Sequence, residues 1–218
     1  MTRAWLWSFF GLSALVCVFA IPWLDRPLAE WIHGSGLESH WLFTDGTVLL
    51  DSLSGKAFSI LLPALPLLVL GLLLYTSIRT RPAGLRLIFV CAVQVPGYLL
   101  AYLCKQLFGR LRPHELFAGG DWTQAWFAGS DSFPSGHTAF YFGLFLPLAY
   151  LFPRWRWPLL VIPFFIAAAR MNESRHFLSD VTASMALIAL MTLVVSRFLN
   201  DRTLWRPLFS ATIEPPEI

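Results

Sequence analysis

Charged side chains are scarce in this chain: Asp, Glu, Lys and Arg make up 13% of its 218 residues, against 56% hydrophobic residues. With a mean hydropathy of +0.61, that balance excludes an ordinary soluble domain and indicates an integral membrane protein. Cysteine is also sparse. Cys17, Cys91 and Cys104 are odd in number, lie in apolar segments and lack metal-ligand spacing, which excludes a disulfide scaffold and a zinc module and leaves buried thiols that pack as small hydrophobes. No linker or low-complexity stretch divides the sequence, so a single domain over 1–218 is expected, with a polar-motif core at about 87–197. A basic stripe is missing too: the net charge of +3 is dispersed among apolar runs, which excludes a nucleic-acid partner.

What is present is a series of apolar helical runs, predicting an all-α polytopic membrane protein. Six candidate spans are Ala4–Trp23, Ala57–Thr76, Leu87–Leu103, Thr138–Phe152, Trp157–Ala169 and Val181–Val195. No small-residue cleavage site follows the first, so it is taken as a retained span, and Pro63 and Pro66 are expected to kink the second. Arg3, then Arg79, Arg81 and Arg86, then Arg154 and Arg156, then Arg197, Arg202 and Arg206 fall on alternate connections. By the positive-inside rule those ends, and both termini, are cytoplasmic, in a membrane expected to be a bacterial inner membrane. Trp5, Trp7, Trp23, Trp41, Trp155, Trp157 and Trp205 lie near span ends, where aromatic belts sit. Between the first two spans, Pro27–Trp41 suits either a short amphipathic helix on the outer surface or a plain loop.

Three polar clusters interrupt this pattern at the outward ends: Lys105–Pro113, Pro134–His137 and Arg170–Asp180. The span Trp157–Ala169 is only 13 residues, roughly 20 Å of helix against a hydrocarbon core of about 30 Å. Arg170 and Asp180 are therefore expected below the outer interface, where ionisable groups are expensive and usually functional. Lys105 and Arg112 are two helical turns apart and point one way, with Gly109 permitting a bend and Pro113 stopping the helix; a fork and a mobile charge then converge as they do on phosphate. Ser132 to His137 looks like a helix start capped by Ser132, leaving the N–H groups of Ser135, Gly136 and His137 as an anion cradle with His137 beside it as a proton donor. His176 and Asp180 share a helix face one turn apart, so the carboxylate fixes the ring tautomer and frees the other nitrogen to attack.

Alone, each pattern has an ordinary explanation. Juxtamembrane cations meet lipid headgroups, a lone histidine sits at an interface, and a His/Asp pair forms half a metal site, although no further ligand set with convincing spacing accompanies this one. Arg110, His114 and Arg175 are taken as headgroup or surface contacts. Trp122, Trp126 and Phe127, in the connection before Pro134, either shape a headgroup pocket or pack as interfacial aromatics.

Jointly, Lys-x6-Arg-Pro, Pro-Ser-Gly-His and Arg-x5-His-x3-Asp, in that order, resemble the three motifs of the type 2 phosphatidic acid phosphatase superfamily, over roughly Lys105 to Asp180. One position departs from the usual pattern: Ala169 stands where the family has Ser, which removes one hydroxyl contact. The resemblance implies His176 as nucleophile forming a phosphohistidine, Asp180 as its orienter and His137 as acid and base. It implies Lys105, Arg112, Ser135, Gly136 and Arg170 as the phosphate cradle, with no metal and no cofactor. The expected partners are bilayer lipids and a lipid phosphate or pyrophosphate cleaved at the outer face. The alternatives are a lipid phosphotransferase using the same intermediate and a headgroup-binding protein without turnover.

Overall fold

The computed structural model describes residues 2–57, 63–200 and 205. Among them every regular element is helical, with nine α-helices: α1 Thr2–Trp23, α2 Asp25–Gly34, α3 Trp41–Leu53, α4 Ala64–Tyr75, α5 Arg81–Phe108, α6 Pro113–Phe117, α7 Gly136–Leu151, α8 Arg156–Asn172 and α9 Leu178–Asn200. Three helical stretches, Arg3–Trp23, Arg81–Phe117 and Leu178–Asn200, are long and apolar enough to cross a membrane, and Ala64–Tyr75 is apolar but shorter. α7 and α8, at 16 and 17 residues, are also short. The expected span Ala57–Thr76 lies partly outside the described residues, as do Arg202 and Arg206. Pro63 and Pro66 occupy the N-cap and first turn of α4 instead of kinking a span interior, because there a missing N–H is no loss.

α7 and α9 form the centre, with α5, α8 and α1 packed around them. Phe89 and Val93 of α5, Phe142 and Leu146 of α7, Leu160 of α8, Ile188 of α9 and Leu6 of α1 are fully or nearly fully buried. Leu12, Leu15 and Val18 of α1, Leu72 and Leu73 of α4, Leu103 of α5 and Val194 and Phe198 of α9 face outward. Such a girdle suits hydrocarbon surroundings, in which a helix satisfies its own backbone. α4 lies directly on α5: a Cβ on Gly84 would stand 2.5 Å from the Gly71 carbonyl oxygen.

Of the two readings for Pro27–Trp41, a short helix or a plain loop, the structure has a helix, Asp25–Gly34, that starts earlier and is followed by a turn. A second helix, α3, has no counterpart in the sequence reading. It is held on α8 by stacking of Phe43 on Phe165 and by Asn172, whose side chain accepts from the His40 N–H at 3.0 Å and donates to the Leu37 carbonyl at 2.8 Å. Cys17 and Cys91 are buried as expected, while Cys104 is half-buried.

Candidate active site

The three polar clusters meet at one end of the bundle, by means that differ in part from those the spacing suggests. α5 ends at Phe108, and Gly109 terminates it in the left-handed region at φ +51°, where a Cβ would meet the Gly129 N at 3.1 Å. Arg112 is therefore not on the helix with Lys105; it lies in extended backbone as the N-cap of α6, and Pro113 opens that short helix instead of stopping α5. The two cations converge through a third residue. Asp131 accepts from Arg112 Nε at 2.9 Å and lies 2.6 Å from its Nη2, while Lys105 Nζ donates to the Asp131 carbonyl and stands 3.7 Å from the carboxylate. Burial pulls the Asp131 carboxyl upward, but the charges of Lys105 and Arg112 prevail and hold it below the ordinary carboxylate range.

α7 begins as expected at Pro-Ser-Gly-His, but its cap is Ser135, whose Oγ accepts from the Thr138 hydroxyl at 3.0 Å and from the Thr138 N–H at 3.4 Å. Ser132 instead donates to Asp180 Oδ2 at 2.5 Å. The Ser135 N–H, expected to be free, donates to the Asp180 carbonyl at 3.0 Å. Gly136 and His137 keep first-turn N–H groups that no helical carbonyl can reach. Lys105 lies against this helix start: a Cβ on Gly136 would stand 3.4 Å from its Cε. Ser184 Oγ donates to the Ser135 carbonyl at 2.8 Å, joining the cap of α7 to the second turn of α9.

Arg170, near the end of α8, pairs with Glu173, and its carbonyl accepts from the N–H groups of Arg175 and His176 at 3.1 and 3.2 Å. Ala169 beside it is fully buried. His176 is 3% exposed, with Nδ1 3.6 Å from Asp180 Oδ2, a contact longer than a hydrogen bond. Burial drives the His176 ring well below the ordinary histidine range, down to about 3, against the opposing pull of Asp180. The imidazole is thus neutral at neutral pH, as a nucleophile must be. Asp180 itself is fully buried and accepts from Ser132, from the Phe177 N–H at 2.8 Å and from Arg110 Nη1 at 2.6 Å.

Arg110 is the largest correction. Expected at the surface, it is 4% exposed, bonded to Asp180, to Ser179 Oγ at 2.6 Å and to Asp25 at 2.7 Å, and sandwiched between the rings of Trp126 and Phe177. His114 is also inward, its ring 3.0 Å from the Ser174 carbonyl, whereas Arg175 is exposed. Trp122 and Trp126 pack against Phe117, Phe133 and Phe177 as aromatic neighbours, and Phe127 faces outward.

Spacing also missed Asp51. Its carboxylate, from α3, stands 2.9 Å from His137 Nε2, and a cavity of about 330 Å³ opens here between Asp51, Thr44, Thr47, His137, Arg170 and Arg175. The one signal in the sequence was an acidic residue closing the apolar run Val48–Leu50. Among the described residues, no three His, Cys, Asp or Glu side chains gather as metal ligands would.

A family model described as the PAP2 superfamily matches residues 83–204. The chain belongs to the PAP2 superfamily. Two relatives bear the name lipid A 1-phosphatase. The protein from Rhizobium etli is 30% identical over 184 residues, covering 80% of this chain and 72% of its own length. The one from Rhizobium johnstonii is 35% identical over 101 residues, 45% of this chain and 41% of the relative, so this second match spans less than half of that protein. No solved structure matches. Membership of the superfamily, with these relatives, places the chain among the phosphatases.

Proposed function

We propose that this PAP2 protein hydrolyses a lipid phosphate monoester or pyrophosphate through a phosphohistidine on His176, at the outer face of a membrane that it crosses six times. The observation that carries the reading is the meeting of a buried, neutral His176 with Asp180, the start of α7 and the cations Lys105, Arg112 and Arg170. Because Nδ1 faces Asp180, Nε2 is the nitrogen that attacks. The N–P bond forms as the ester P–O bond breaks, and His137, whose free ring nitrogen takes up a proton as the phosphate monoanion binds, gives that proton to the leaving oxygen. In the second half, His137 takes a proton from water, whose oxygen attacks phosphorus and releases His176.

Lys105, Arg112, Arg170 and the Gly136 and His137 N–H groups hold the phosphoryl oxygens as charge shifts among them, so the protein's own cations supply the neutralisation. A leaving group from the lipid A class, a phosphorylated sugar with its acyl chains in the bilayer, is favoured over other lipids by the names of both relatives. The outward orientation is supported by Arg3, Arg79, Arg81, Arg86, Arg154, Arg156 and Arg197, all on the connections opposite the site.

The test offers the purified protein phosphorylated lipid A, phosphatidate, phosphatidylglycerophosphate and undecaprenyl pyrophosphate in chelator, and measures released phosphate. Release is expected from the wild type and is abolished in His176→Ala, with an acid-labile phosphoryl label on the wild-type chain during turnover. Undiminished release from His176→Ala rules out the intermediate, and label passed quantitatively to a second lipid instead of water makes the enzyme a phosphotransferase.

A further inference from the structure

Asp51 lies outside the matched region 83–204 and outside the three motifs, yet it makes the closest polar contact to a motif histidine in the site. Its Oδ2 is 2.9 Å from His137 Nε2 and 3.2 Å from Lys56 Nζ, and its Oδ1 accepts from the Tyr141 hydroxyl at 2.8 Å. Tyr141 follows His137 by one turn of α7, so a single helix face presents the ring and the group that pins the ring's partner. The carboxylate cannot drift. Both oxygens are engaged, Lys56 and Tyr141 are largely buried, and α3 is itself clamped to α8 by Asn172 and Phe165.

We infer that Asp51 is a positioning residue for His137, which it holds with Nε2–H donating to the carboxylate and Nδ1 turned to the leaving oxygen. This rests on the proposed hydrolase reading. The physical reasons are two. A histidine with one nitrogen committed to a carboxylate has a fixed tautomer and ring plane, and the fixed negative charge opposes the burial that otherwise lowers the His137 ring, so it stabilises the imidazolium formed transiently when substrate brings a proton. Burial raises the Asp51 carboxyl, but the His137 bond, the Lys56 charge and the Tyr141 hydroxyl outweigh it and keep the group ionised. The site then contains two parallel devices: Asp180 behind the attacking ring and Asp51 behind the protonating ring, supplied from opposite ends of the sequence. The 330 Å³ cavity shared by Asp51, Thr47 and His137 is on this account the place of the leaving group.

The discriminating variable is the leaving group. An alkoxide must be protonated as it departs, whereas p-nitrophenolate need not be. Asp51→Asn is expected to lower kcat/KM, which reads only the steps through leaving-group departure, about 100-fold on a long-chain alkyl phosphate, within the range general acid catalysis supplies, and no more than about 3-fold on p-nitrophenyl phosphate. Tyr141→Phe, which keeps the carboxylate but loosens it, gives a smaller loss with the same substrate pattern, and Asp51→Glu recovers part of the activity. Equal losses on the two substrates, or none on either, overturn the inference.

A second readout needs no turnover. In ¹⁵N-histidine spectra of the substrate-free wild type at neutral pH, where burial keeps the ring neutral, His137 shows Nε2 protonated and Nδ1 bare, ready to take up the proton that it later passes to the leaving oxygen. Asp51→Asn abolishes that preference, and an unchanged tautomer refutes the role. Loss of all activity in His176→Ala tests the hydrolase reading separately, so the two can fail independently.

Discussion

Replacing Arg110 by Met tests whether the site is held by a buried charge network or by helix packing alone. Methionine keeps the volume between Trp126 and Phe177 but removes bonds to Asp25, Ser179 and Asp180. Removing one partner of a buried ion pair typically costs 3–5 kcal/mol, because the other charge stays desolvated. Here the lower end applies. Asp25 keeps the Ser179 N–H and hydroxyl, and Asp180 keeps Ser132 and the Phe177 N–H, so about 3 kcal/mol is expected for each single loss of this kind. For a chain of this length that is a fall in Tm on the order of 10 °C, read by thermal unfolding in a fixed detergent.

Arg26→Met serves as the control, since its i,i+4 pair with Glu30 is 61% and 49% exposed and is worth about 0.5 kcal/mol. Asp25→Asn on the Arg110→Met background should recover about 1 kcal/mol by removing one stranded charge. If Arg110→Met were no worse than the Arg26 control, or if the double variant were the sum of its single losses, the network would be passive and the reasoning wrong.

Two further outcomes follow from local geometry. His176 is buried neutral, with its folded value depressed to about 3 from an unfolded value near 6.5, so the unfolded chain binds the extra proton first. Its contribution is complete above the unfolded value and is lost as pH falls from about 6.5 toward 3, so wild type should lose more Tm between pH 6.5 and 4.5 than His176→Gln. Gly109→Ala forces a Cβ into the left-handed region 3.1 Å from the Gly129 N and should lower stability by about 1–2 kcal/mol in the same melt, with Gly109→Asn milder; equal melts would contradict the strain.

Much of the helical layout was legible because apolar runs bounded by Arg, Pro and Gly announce buried helices, and α1, α5, α7, α8 and α9 lie within a few residues of their expected spans. The family was legible because the order of the three motifs is specific even where each spacing is weak. Arg110 was misplaced for a reason no local pattern could correct: its burial depends on Asp25, 85 residues earlier, and on rings from two other segments. Asp51 was invisible on the same ground, since only the docking of α3 on α8 brings it to a histidine 86 positions later. The Lys105 and Arg112 convergence was right in outcome and wrong in cause, because Gly109 ends the helix before the second turn and Asp131 gathers the two cations.

That bridging role of Asp131 means the charges of Lys105 and Arg112 are already answered within the protein. An incoming anion does not fall into bare positive charge; it must outcompete a tethered carboxylate for the same two side chains. Only the difference between its grip and that of Asp131 appears as affinity. On the proposed phosphate role of these two cations, a dianionic phosphomonoester with three terminal oxygens wins that exchange, while free carboxylates and singly charged diesters gain little, so the loop before α7 would act as a built-in reference anion that filters visitors by charge density.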